Sequence, residues 1–342
     1  MNETRLFPPL RRCGVMLCGV LVITAGLLAC SGPTDDGGDG EEETPDLTTV
    51  EYYDTVAGSW TSLHDTLGIP EPRSLAAVAA YCGKLYLFGG SKRVDLVSTR
   101  YKTVFIFDPG TNSWSQGASM STNREGAGAV VVGDKIHVIG GALTSSTFLA
   151  TMEIYDPYAD TWTSGPSMAT ARYCPVVAYL PSDEKILVAG GMDESYTDLS
   201  SCEIYDTVSG SWSGTSSLSI PHGQACGGVI DDTLYLAGGF TESTTVTDVV
   251  ESYAIGGGWS QGHTPMPSAR GEMEGAVHGG LLYVVGGLYQ DGAAQTVLSS
   301  FDVYDPVADS WSSLSSLPTA RSEPSAVFIG DKLYVAGGYQ QP

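Results

Sequence analysis

The chain has 342 residues, 43 of them Gly, and a formal charge of −23. So large an excess of acid excludes a nucleic-acid binder, whose phosphate contacts need basic patches. Only 16% of the residues are Asp, Glu, Lys or Arg, a balance that suits short strands joined by tight turns rather than solvent-exposed helices.

Residues 1–29 have the layout of an export signal: Arg5, Arg11 and Arg12 precede an apolar run from Gly14 to Ala29. That run is shorter than the roughly 20 residues of a membrane-spanning helix. It ends in Leu27-Leu28-Ala29-Cys30, which resembles the bacterial lipobox. The resemblance implies that Cys30 is lipidated and becomes the mature N-terminus. Ser31 stands where an inner-membrane retention signal has Asp, so the implied address is the outer membrane of a bacterial cell envelope. Several acyl chains, each buried CH₂ contributing ~0.8 kcal/mol, would hold the protein at the membrane surface. Residues 30–46 continue as SGPTDDGGDGEEETPD after the cysteine. With no large apolar residue this segment cannot bury a core and is predicted to be a disordered acidic tether. The remaining residues, 47–342, carry a charge of about −18.

From Leu47 onward one unit recurs. A strand of small and branched residues (AGAVVV, SAVFIG) leads through a turn to a second strand ending in Gly-Gly: LYLFGG, IHVIGG, ILVAGG, LYLAGG, LYVVGG, LYVAGG. A third strand ends in an aromatic and usually Asp, and a fourth starts at a Trp. The Gly pairs begin at Gly89, Gly140, Gly190, Gly238, Gly286 and Gly337, with one Trp per unit at Trp60, Trp114, Trp162, Trp212, Trp259 and Trp311. Four short strands per period of about 50 residues make one propeller blade. Taken together, the Gly-Gly, Tyr-Asp and Trp positions resemble kelch repeats over residues 50–340. Departures are few: Ala254 replaces Asp, Phe107 replaces Tyr, and His222 takes a place held elsewhere by Arg.

The unit order predicts how the ring closes. Residues 47–342 begin with a third and fourth strand (VEYYD, then Trp60) and end with a first and second (SAVFI, then LYVAGG). The expected fold is therefore all-β: a six-bladed β-propeller of four-stranded kelch blades, closed by the N-terminal outer strands pairing with the C-terminal inner strands. Each Trp is expected to bury its indole between blades. The Asp of Asp-Pro (Asp108, Asp156, Asp305) is expected to cap a turn by accepting backbone N–H bonds. These acids recur once per blade without clustering, and the five histidines form no ligand motif, so no metal and no cofactor is expected. A copper-radical oxidase, known on a kelch scaffold, would need more converging ligands than Tyr173 and His222. Cys174 and Cys226 lie on inner strands of adjacent blades but out of register for a disulfide.

One repeat position carries charge: Arg73, Arg124, Arg172, Arg270 and Arg321, with His222 in the sixth place. Each lies 16 residues before its Gly pair, except 18 for Arg172, where the hairpin YLPSDEKI has two extra residues. Strand direction puts these six and the loops after Gly-Gly on one face, and the Lys-bearing turns with the Asp-Pro turns on the other. The six are therefore candidate ligand-binding residues ringing the mouth of the central channel, since guanidinium forks suit carboxylates and kelch relatives hold acidic peptides with arginines at like positions. Neighbouring Glu125, Glu272 and Glu323 make internal pairing a competing reading. Two loops after Gly-Gly are long, and the first, SKRVDLVSTRYKT, holds Lys92, Arg93, Arg100 and Lys102.

These features point to a non-catalytic, monomeric binding module, lipid-anchored in the cell envelope, that recognises an anionic protein segment or acidic glycan. The alternative is a periplasmic sugar mutarotase or epimerase acting on an acidic sugar, a kind of enzyme found among six-bladed kelch proteins. There Glu125, Glu272 or Glu274 would move protons.

Overall fold

The computed structural model describes residues 46–342 apart from 64–66, 95–96, 243, 292–293 and 341–342. The signal, Cys30 and the tether up to residue 45 lie outside the described residues.

Six four-stranded antiparallel sheets surround one axis. Blade 1 comprises Ala77–Tyr81, Lys84–Phe88, Val104–Asp108 and Ser113–Gly117 from the axis outward, and each following 50-residue stretch repeats it. Blade 6 is shared between the chain ends. Its inner strands are Ser325–Ile329 and Lys332–Ala336, and its outer strands are Val50–Asp54 and Ser59–Ser62. The closure pairs Val50 with Ala336 and Asp54 with Lys332, as the unit order predicts. Additional two-stranded hairpins rise after the Gly pairs, the longest being Ser91–Val94 with Val97–Arg100 and Leu288–Asp291 with Ala294–Val297.

The core lies between blades rather than at one centre. Phe88 of blade 1 packs edge-on against Tyr155 and Trp162 of blade 2, with ring centroids 5.9 and 5.7 Å apart. All six tryptophans are only half-buried. Each packs, tilted, against the strand-three aromatic of its own blade and donates its indole N–H to a carbonyl in the loop leaving the preceding blade, as in Trp162 to Ala118 at 2.7 Å and Trp60 to Ser315 at 2.8 Å. The indole is thus a hydrogen-bonded clamp between blades as well as packing mass.

The Asp turns form as expected. Asp156 Oδ1 accepts the N–H groups of Tyr158 and Ala159, and Asp305 Oδ1 those of Val307 and Ala308. The Lys-bearing turns meet them on the same face: Lys84 reaches Asp108 at 3.0 Å, Lys135 reaches Asp156 at 2.8 Å, and Lys185 reaches Asp206 at 3.3 Å. The two extra residues before Lys185 are absorbed in a 3-10 turn, Pro181–Asp183, followed by Glu184 at φ 52°. Cys82, Cys174, Cys202 and Cys226 are all free thiols.

Candidate functional site

The opposite face holds the Gly pairs, the hairpins and the six-fold Arg/His position. Each of these six side chains precedes its inner strand by four residues and is almost wholly enclosed, with exposures of 0–1%. Four of the five guanidinium groups reach the first Gly carbonyl of their own blade: Arg73 to Gly89 at 2.6 Å, Arg124 to Gly140 at 3.0 Å, Arg172 to Gly190 at 2.9 Å and Arg321 to Gly337 at 2.7 Å. His222 Nδ1 does the same at Gly238, at 2.6 Å. The spacing of 16 residues is therefore the length of chain that returns this side chain to its own Gly pair.

The other arm of each fork meets an acid. Arg124 pairs with Glu153 at 2.5 Å, Arg172 with Glu203 at 3.2 Å, Arg270 with Asp302 at 2.7 Å, Arg321 with Glu51 at 2.8 Å, and His222 with Glu251 at 3.2 Å. These acids all stand two residues before the strand-three aromatic. Several of them also accept the N–H of the loop coming from the preceding blade, as Glu153 does from Ser121 at 2.7 Å. Burial opposes ionisation of Glu251, but the bonds from His222 and Ser219 prevail and hold its carboxyl below the usual range. In blade 1, Phe105 replaces the acid. Arg73 there lies over the rings of Tyr101 and Phe105, at 4.1 and 4.5 Å, and pairs with Glu71 instead.

The expected ring of ligand-facing arginines is thus corrected in its geometry. Arg73, Arg124, Arg172, His222, Arg270 and Arg321 are enclosed in six separate networks, because the terminal nitrogens of each fork, or the ring nitrogens of His222, are engaged by nearby carbonyl, hydroxyl and carboxylate groups. The matching acids were a signal in the sequence: an Asp or Glu two residues before the aromatic recurs in five blades.

What converges at the channel mouth is a different set. Arg93, from the first long hairpin, turns inward and is buried between Asp46 and Glu323. Its backbone N–H also donates to Asp46, and its guanidinium lies 4.8 Å from the Tyr339 ring centroid. Burial works against the charge on Arg93, but the two carboxylates overcome it and hold its pKa above the ordinary value. Asp46, placed by sequence in the tether, is in fact 3% exposed and part of the propeller. Arg100 pairs with Glu125 at 2.7 Å, and Tyr173 donates to the same carboxylate at 3.4 Å.

The inner strands line a cavity of about 130 Å³, walled by small and apolar residues together with Glu272, Glu274 and Glu323. Burial pushes the Glu272 carboxyl up to about 8, with Glu323 beside it adding to the shift, and burial pushes Glu274 up to about 8. Lys92 on the same hairpin is half-buried and Lys102 just after it is exposed, and neither forms an ion pair among the described residues.

A family model described as the Attractin/LZTR1 beta-propeller matches residues 37–255, and the Kelch motif matches residues 269–318. The chain belongs to the Attractin/LZTR1 family of kelch propellers. Kelch-like protein terF of Aspergillus terreus is 35% identical over 29% of this chain and 22% of its own length. Kelch-like protein 35 of Mus musculus is 32% identical over 28% of this chain and 23% of its own, and alpha-scruin of Limulus polyphemus is 33% identical over 28% and 10%. The chain spans less than a quarter of each of these relatives. Among solved structures, "Structure of YjhT" superposes with a TM-score of 0.64 at 16% identity, covering 75% of this chain and 88% of that one. That likeness establishes the shared fold. As a kelch propeller, the protein belongs to an architecture typical of protein-interaction modules.

Proposed function

We propose that the protein is a non-catalytic binding module, held at the outer membrane by lipid on Cys30, that takes an acidic protein segment on its Gly-Gly face. The observation that carries this reading is the disposition of charge on the hairpin Ser91–Val94 and Val97–Arg100. Arg93 and Arg100 are committed to internal carboxylates, whereas beside them Lys92 is half-buried and Lys102 exposed. The binding surface is therefore the hairpin rim rather than the six-fold Arg/His position. Loops on a rigid scaffold are the usual place for such recognition. Ammonium groups at a solvent-accessible rim give a contact that salt weakens.

The test is binding of a Glu-rich peptide to the full-length chain at low and high salt, beside the double variant Lys92→Ala/Lys102→Ala. Salt-sensitive binding that the variant loses supports the reading. Binding that survives the variant overturns it, and preferential binding of a carboxylated polysaccharide instead assigns the rim to a glycan. Labelling with palmitate in a bacterial host, lost in Cys30→Ala, tests the anchor.

A second reading, mutarotation or epimerisation of an acidic sugar, rests on Glu272 and Glu274 in the channel, whose carboxyls lie near 8 and so are placed to exchange protons near neutrality. The burial of the arginines that would have held the sugar's carboxylate weighs against it. Following sialic acid anomer exchange by NMR, with and without the protein, decides between the two. Acceleration abolished by Glu274→Gln would establish the enzyme.

A further inference from the structure

The fold does not account for the carboxyl groups in the channel. The residue two positions after each Arg/His site adopts a left-handed backbone in all six blades: Leu75, Gly126, Cys174, Gln224, Glu272 and Glu323, with φ between 49° and 59°. Their N–H groups link blade to blade around the axis, Leu75 to Glu323, Gly126 to Leu75, Cys174 to Gly126, Glu272 to Gln224 and Glu323 to Glu272. This girdle uses backbone atoms alone. Leu and Gly serve in it as well as Glu, so Glu272 and Glu323 meet the cost of a side chain in the left-handed region without the blade requiring a carboxyl there. Glu274 likewise occupies an inner-strand position that is Ala77, Gly128, Val176, Cys226 and Ser325 in the other blades.

Charge at this point is unbalanced. Arg93 is the basic group facing Asp46, Glu272 and Glu323 together, while Glu274 faces the Cys226 thiol and the Gly275 N–H. Glu323 is 4% exposed, and its Oε1 has no hydrogen-bond partner. The Ser322 hydroxyl and the Gln224 amide nitrogen, also buried, come close to Glu272 without meeting hydrogen-bond geometry and are likewise unsatisfied. A buried carboxylate oxygen left without a donor is costly. Among the described residues, no three His, Cys, Asp or Glu side chains are grouped so as to hold a metal ion. The acidic lining of this cavity, Glu272, Glu274 and Glu323, suits a compact occupant that donates N–H bonds and carries positive charge. Its volume of about 130 Å³ is of the order of the ~150 Å³ cavity that takes benzene, enough for a cationic head group and a short stem.

We propose that the axial cavity is a binding site for an organic cation, an alkylammonium or guanidinium group, held by Glu272, Glu274 and Glu323. The site is independent of the rim at Lys92 and Lys102 and takes the opposite charge. Glu323 stays ionised against Arg93, whereas burial favours the protonated form of Glu272 and Glu274, which give up protons to the solvent as the cation enters. Affinity therefore rises with pH, by about tenfold per unit for each proton released, and levels off above the carboxyl pKa values. The charged and titratable groups that set this profile are Asp46, Arg93, Tyr339, Glu323 and Glu125 around Glu272, and Cys226 beside Glu274.

Calorimetric titration of the full-length chain with butylamine, with butanol as the neutral probe of the same shape, tests the proposal. The expected result is saturable binding of butylamine, absent for butanol, tighter at pH 8 than at pH 6, and weakened at least tenfold in both Glu272→Gln and Glu274→Gln. Gln preserves shape, and a thermal melt of each variant confirms folding. Lys92→Ala/Lys102→Ala leaves butylamine binding unchanged, which separates this site from the rim. No butylamine binding, equal binding of the two probes, or butylamine binding untouched by both Gln variants overturns the proposal.

Discussion

The N–H of Gly338 donates to the carbonyl of Arg73 at 2.7 Å, joining the last Gly pair of the chain to the first blade. The same bond recurs at every blade junction: Gly90 to Arg124, Gly141 to Arg172, Gly191 to His222, Gly239 to Arg270 and Gly287 to Arg321. The Arg/His position is thus a two-way fastener. In every blade but that of Arg270 its side chain grips its own Gly pair, and in all six its carbonyl receives the Gly pair of the preceding blade.

Closure makes Gly337 sensitive. It sits at φ +63°, and a Cβ there would come within 2.2 Å of the Arg73 carbonyl oxygen. Backbone on both sides cannot yield cheaply. Gly337→Ala should cost about 2–4 kcal/mol, combining left-handed strain with overpacking. Urea unfolding with a signal from each chain end should show the closure blade loosening first. Unchanged stability would mean that the contact relaxes freely.

Removing one partner from a buried ion pair leaves the other uncompensated. Arg124→Ala, which strands Glu153, should destabilise by roughly 3–5 kcal/mol, and Arg124→Lys should recover little because an ammonium cannot bridge the Gly140 and Thr151 carbonyls and Glu153 as a fork does. The double variant Arg124→Met/Glu153→Met should be less destabilised than the sum of its single changes. A folded Arg124→Ala protein of normal stability that had lost a ligand would contradict the structural role.

The clamp made by each Trp can be separated from its packing. Trp162→Phe keeps an aromatic ring near Tyr155 but removes the N–H bonded to Ala118. A loss of about 1 kcal/mol is expected from that bond, with a smaller further loss of contact area because the indole is only half-buried. Equilibrium unfolding by fluorescence and circular dichroism measures it.

Glu274 gives stability a definite pH dependence. Its pKa is raised by burial from 4.5 to about 8, so the folded state binds more protons than the unfolded state between those values. Its stabilising influence is fully present below pH 4.5 and is lost as pH rises through 8. The side chain keeps some accessible surface inside the channel, and water there screens part of the effect. Glu274→Gln should therefore stabilise the protein by about 1–2 kcal/mol above pH 8 and flatten the decline between pH 5 and 8. Melting curves across that range check the slope, and an unaltered decline would place it in another group.

Much of the fold was legible because a blade is specified locally. The Gly pair marks a left-handed turn, the Asp caps a hairpin, and the Trp packs on an aromatic of its own sheet. Each signal sits within one period, and repetition makes it readable. Closure of blade 6 followed from counting strands. The charged network was read less well. The fixed position of Arg124 and its relatives was visible, but the partner acids, such as Glu153, lie some 29 residues further on and were seen only as part of a strand.

The sequence by itself determined the number of blades, their strand order and the face on which the arginines and hairpins lie, because these depend on period and strand direction. Only the tertiary structure decided which charges are spent inside and which stay at the surface. Burial depends on how neighbouring blades close over a side chain. The five arginines disappeared into their own blades, Asp46 left the tether for the channel mouth, and Arg93 came from a distant hairpin to meet it. Three glutamates that the repeat does not require were gathered from two adjacent blades around one axis. A carboxyl group is ordinary on an exposed strand and unusual when buried among inner strands, and that difference exists only after the ring has formed.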